Sequence, residues 1–138
     1  MDIMTYCNRE LLNELPTFQR KHIKNLLKTR DETQAFDIWV NAYRASLQGA
    51  LGSQQSHQTF EAWIASFLDE LKHFVDDDPK YREAHTKLLN EQVHDKGTVL
   101  SIISTAISPY VKATPTMLAP MVAIRLLLLG KMSQHASC

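Results

Sequence analysis

Cysteine is nearly absent. The two present, Cys7 and Cys138, lie near opposite ends of a 138-residue chain. Two thiols so placed exclude a disulfide framework, and a reducing, cytoplasmic setting is expected. Glycine and proline are also scarce, at four and five residues, which argues against a turn-rich β architecture and for long regular elements. With so little glycine there is no phosphate-cradling loop and no Gly-x-Ser-x-Gly nucleophile turn. Charge of one sign does not dominate either. Fifteen basic side chains balance fifteen acidic ones, so broad nucleic-acid binding, which depends on neutralising phosphates, is disfavoured. The first ten residues, MDIMTYCNRE, lack the basic start and apolar run of a secretory leader.

Only one long apolar run occurs, TMLAPMVAIRLLLLGKM from Thr116 to Met132. Its apolar part, Met117 to Leu129, is 13 residues, or about 20 Å of helix. A bilayer core is about 30 Å thick and needs roughly 20 apolar residues. Arg125 lies inside the run, where lipid would make it costly, and Pro120 introduces a bend. A helix apolar on all sides but too short to span is read as a core helix wrapped by amphipathic neighbours. Arg125 is then a buried charge that must reach water along its stem or meet a carboxylate from the acidic middle of the chain.

What is present is helical periodicity, in a composition 44% apolar and 22% charged that suits a folded globular chain. A short helix is expected over Asn8–Glu14, ending before Pro16. TFQRKHIKNLLKTR then places Phe18, His22, Ile23, Leu26 and Leu27 inward and Arg20, Lys21, Lys24 and Lys28 outward. Asp31 with Gln34 reads as a capping box opening a helix through Phe36, Trp39, Val40, Tyr43 and Leu47, which ends at Gly49 and Gly52. Phe60, Trp63, Ile64, Phe67, Leu68, Leu71, Phe74 and Val75 follow the i, i+3, i+4, i+7 rule throughout. Asp78–Pro79 caps the next helix, with Tyr81, Ala84, Leu88 and Leu89 inward. Another from Gly97–Thr98 presents Val99, Ile102, Ile103, Ala106 and Ile107, backed by the uncharged face of Ser101, Ser104, Thr105 and Ser108. Pro109 stops or kinks it, and Thr114–Pro115 starts the last helix. The expected fold is an all-α single-domain bundle over 1–138, with six or seven helices around an apolar C-terminal helix and flexible ends at 1–7 and 133–138.

Six histidines raise the question of a metal. Glu70-x-x-His73 and Glu91-x-x-His94 match the Glu-x-x-His element of di-iron bundles, but both pairs fall on outward helix faces. The HFVDD segment, followed by YREAH, resembles the His-Phe-x-x-Glu region of hemerythrin-like oxygen carriers. The ligand set that this resemblance implies is incomplete: Leu89 stands where a second histidine would follow His85, and none occurs between His94 and His135. The family is therefore not assigned. The inward candidates His22, His57 and His85, with Glu61 near His57, form the weak metal set. Asp76-Asp77-Asp78 has no calcium-loop spacing and reads as a helix end and turn. No catalytic residue and no cofactor emerge.

Charge is unevenly spread. Thr17 to Arg30 carries five basic residues and no acid; Glu61 to Asp95 carries nine acids against four bases. The ridge of Arg20, Lys21, Lys24 and Lys28 is thus the candidate partner-binding surface. The expected function is a small non-catalytic interaction or regulatory module, of the adaptor or immunity-protein kind. Its partner is another protein or a second copy of itself. Two alternatives stay open: a membrane-active effector that inserts its C-terminal apolar hairpin, and a His/Glu metal-binding bundle.

Overall fold

The computed structural model describes residues 9–45, 60–76, 78–90 and 98–136. Asp31 accepts from the backbone N–H of Gln34 at 2.8 Å, and Gln34 Oε1 accepts in return from the Asp31 N–H at 3.3 Å. That reciprocal box starts α2 (Glu32–Ala42). Asp78 accepts from Lys80 N–H at 3.0 Å and, with Pro79 next, opens a 3-10 turn, Pro79–Tyr81, leading into α4 (Arg82–Asn90). Before these come a 3-10 segment, Arg9–Glu14, and α1 (Thr17–Leu27); between them lies α3 (Phe60–Val75). The chain closes with α5 (Thr98–Val111) and α6 (Pro115–Ala136). No strand occurs among the described residues, and the fold is an all-α bundle.

α5 takes its cap from far away in the sequence. The Leu100 N–H donates to Glu14 Oε1 at 2.7 Å. The carboxylate at the end of the first 3-10 segment thereby meets both a free donor and the positive end of a helix dipole.

α6 is the centre of the bundle. Leu118, Met121, Val122, Ala123, Ile124 and Leu126 are all 0% exposed. It packs against α2 on one side and α5 on another, while α3 and α4 pack on α5. The apolar run is thus covered by upstream helices. No single helix among the described residues is long and apolar enough to cross a membrane, although α5 and α6 taken as a pair, bent by 112°, reach that length and composition together.

Several expectations are corrected. α6 runs to Ala136. Pro109 does not stop α5, which runs on to Val111. α2 ends at Ala42 with Tyr43 as its C-cap, and residues 44–45 are helical again; Leu47, Gly49, Gly52 and the loop after them lie outside the described residues. Ser104, placed on a polar face by its type, is fully buried, and its hydroxyl has no hydrogen-bond partner among the described residues. The apolar arc of α5 is wider than its sequence pattern implies, because α3, α4 and α6 all pack on it.

The α5–α6 corner is tightly bonded. Trp63 Nε1 donates to the Val111 carbonyl at 2.8 Å, Lys112 N–H to the Ser108 carbonyl at 2.8 Å, and the Ser108 hydroxyl to the Ala113 carbonyl. These bonds satisfy helix-end carbonyls. They require Lys112 to sit at φ 58°, the left-handed region. A side chain with a Cβ is disfavoured there, and glycine is not. Lys112→Gly is therefore expected to stabilise the fold by about 0.5–1 kcal/mol, read as a higher urea midpoint with an unchanged slope.

Candidate functional site

α1 is held to the bundle by Ile23, Leu26 and Leu27. On its opposite side, Phe18, Lys21, Lys24, Asn25 and Lys28 surround a shallow surface groove, with His22 at its edge. Phe18 is 68% exposed, although the periodicity had assigned it inward. At 100° per residue Phe18 lies about 130° from the centre of the Ile23–Leu26–Leu27 arc. Helix geometry, not hydrophobicity, decides which way Phe18 faces. Three of the four predicted basic residues share this face. Arg20 sits on its flank, half-buried, with its guanidinium donating to Thr17 Oγ1 at 3.4 Å. Among the described residues, Lys21, Lys24 and Lys28 make no ion pair.

His22 links this face to the core. Its Nδ1 lies 3.3 Å from the Tyr43 hydroxyl, and its ring centre is 5.0 Å from Trp39 and 6.4 Å from Phe18. Tyr43 and Trp39 stack at 4.4 Å. The exposed phenyl ring is thus the outer end of an aromatic row that runs into α2.

The described metal candidates, His22, Glu61 and His85, each have other partners. Glu61 pairs with Arg44 at 2.9 Å, and Arg44 in turn lies 4.7 Å from the centre of the Phe60 ring. The carboxyl of Glu61 is held below its ordinary value by a backbone hydrogen bond first and by Arg44 second. His85 is buried and stacked on Phe74 at 4.5 Å, with Nε2 2.6 Å from the Phe74 carbonyl. The carbonyl can only accept, so Nε2 carries the proton. His57 lies outside the described residues. No group of three or more His, Cys, Asp or Glu suited to a metal ion occurs among the described residues.

The two Glu-x-x-His pairs fare differently. Glu91 and His94 lie outside the described residues. Glu70, read as a solvated residue, is largely buried and fastens α3 to the following turn. It accepts from Lys80 Nζ at 2.8 Å and from the Tyr81 hydroxyl at 2.5 Å. Burial pushes the Glu70 carboxyl up, but these hydrogen bonds outweigh it and hold it below its ordinary value. Burial, and then the same carboxylate, push the Tyr81 hydroxyl strongly up. His73 stays at the surface between Asp69 Oδ2, at 3.4 Å, and Asp78 Oδ2, at 3.1 Å.

Arg125 makes no ion pair with the acidic middle of the chain among the described residues, although Asp69 and Asp76 line the same cavity. It is half-buried, with its guanidinium carbon 5.2 Å from the centre of the Phe36 ring. Burial holds its pKa below the ordinary value, and the opposing pull comes from Asp37 of α2. The neighbouring exposed cation Lys131 is the one that finds a carboxylate, Glu32 Oε2 at 3.2 Å.

Comparison with known proteins returns no match: no family pattern fits the chain, and no curated protein or solved structure aligns with it significantly.

Proposed function

We propose that this chain is a non-catalytic interaction module that docks an acidic segment of another protein on the outer face of α1. One observation carries the reading: Phe18, 68% exposed, stands among three lysines that make no ion pair within the described fold. An exposed aromatic ring is an expensive thing to leave in water and a common anchor of interfaces. The surrounding ammonium groups steer an acidic partner and set its register. Exposed charges contribute little to folding, so this face is free to be spent on recognition.

The test separates docking from folding. Lys24→Glu combined with Lys28→Glu, and separately Phe18→Ser, are expected to leave the melting temperature essentially unchanged and to remove the same acidic protein from pull-downs analysed by mass spectrometry. Capture that survives both variants would refute the reading. A sharp fall in melting temperature would assign the lysines to the fold instead.

A second reading is favoured by one feature, the bent α5–α6 pair, which together meets the length and composition of a span. It makes the chain a membrane-active effector. Incubation with anionic liposomes distinguishes the two: docking to a protein predicts that the chain stays in the supernatant and releases no dye.

A further inference from the structure

Arg125 and Leu129 are one helical turn apart on α6 and share one face. In front of them, between α6 and α3, lies a cavity of about 610 Å³. Leu68, Leu71 and Val75 of α3 and Leu129 of α6 give it an apolar lining. The guanidinium of Arg125 enters this lining with one face turned to the Phe36 ring. No described carboxylate lies within salt-bridge distance of it. A half-buried guanidinium has lost water without gaining the bidentate partner its geometry suits.

The geometry points to a binding site for a single-chain amphiphile with a carboxylate head, the head on Arg125 and the hydrocarbon tail along Leu68, Leu71, Val75 and Leu129. The volume falls in the range of small-molecule pockets, and the lining follows their usual pattern of many apolar groups and few placed polar ones. Three carboxylates oppose an anion: Asp37 of α2, which acts on Arg125 without pairing with it, and Asp69 and Asp76 on the rim; all three are exposed, and Lys72 lies between the last two in the sequence. Charges at the rim are screened by water and salt; Arg125, deeper and beside an aromatic ring, is screened less. The head group is therefore selected by Arg125 more than by the exposed carboxylates.

The full chain, labelled at its methyl groups, is titrated by NMR with decanoate, decanol and decylammonium, each below its micelle concentration. Saturable shifts at Leu68, Leu71, Val75 and Leu129 are expected with decanoate, with weaker binding of decanol and weakest binding of decylammonium. No saturable shift, or an ammonium probe that binds as tightly as the carboxylate, would overturn the site; the comparison needs no variant to fold. Arg125→Gln is expected to weaken decanoate by roughly tenfold or more and to leave decanol unchanged. Leu129→Glu supplies a carboxylate one turn from Arg125 and should abolish decanoate binding in a chain that still melts cooperatively. Persistent decanoate binding in either folded variant would also overturn the site.

Discussion

Replacing Phe67 with alanine is expected to remove about 3–5 kcal/mol of stability, measured as a fall in the urea midpoint at constant slope. Phe67 is 0% exposed and lies between two other rings: its centre is 6.4 Å from Phe36 and 6.2 Å from Trp63, both nearly parallel to it. The three rings join α2 to α3. Truncation loses the transfer free energy of the phenyl group and leaves a void that the flanking rings cannot fill without leaving their own contacts. A domain of this size is stable by roughly 7–20 kcal/mol, so the loss is a large share of the total. The matched control is Phe18→Ala. The residue type is the same, but an exposed ring leaves no cavity, and the expected change is within about 0.5 kcal/mol. If the two substitutions cost the same, the assignment of one phenylalanine to the core and the other to a docking face fails.

That contrast marks what the sequence made legible. Where one helix buries one face, periodicity and caps sufficed: the stripe from Phe60 to Val75, the Asp31–Gln34 box and the Asp78–Pro79 start all stand in the structure. The central place of the Met117–Leu129 run followed from its being apolar on every side. What was not legible depends on which elements meet. Glu14 caps a helix through a backbone N–H 86 residues away, and no local pattern encodes that pairing. Asp37 and Phe36 are the neighbours of Arg125 because α2 lies on α6. Composition pointed instead to the acidic middle of the chain. Glu70 looked solvated until the turn after α3 folded Lys80 and Tyr81 back onto it. The candidate site was half legible for the same reason. The lysines stood out as a charge pattern, while Phe18 became significant only when the bundle left it uncovered.

Leu126→Asp is expected to be the most damaging substitution, costing roughly 4 kcal/mol or more at neutral pH. Leu126 is 0% exposed on the central helix. Arg125 does not face it, since adjacent positions on a helix diverge by 100°. An unpaired carboxylate there gives up its hydration with no return. The pH dependence identifies this cause. Burial raises the folded pKa of the new carboxyl above the unfolded value of about 3.9. Between those two values the folded chain binds more protons, so the variant gains stability relative to the unsubstituted chain as pH falls through the raised pKa. Glu70, present in both chains, moves the other way and leaves the gap between them unaltered. Burial raises that carboxyl, but Lys80 and Tyr81 more than offset it. Its contribution is complete above the ordinary carboxylate range and is lost as pH falls through the depressed value. Urea midpoints of the two chains should therefore converge on acidification, from a wide gap at pH 7 to a narrower one near pH 5. A constant gap would mean that lost packing, and not a buried charge, sets the cost. No gap at any pH would mean that α6 is not the enclosed centre of the fold, and the membrane reading would then have to replace the docking one.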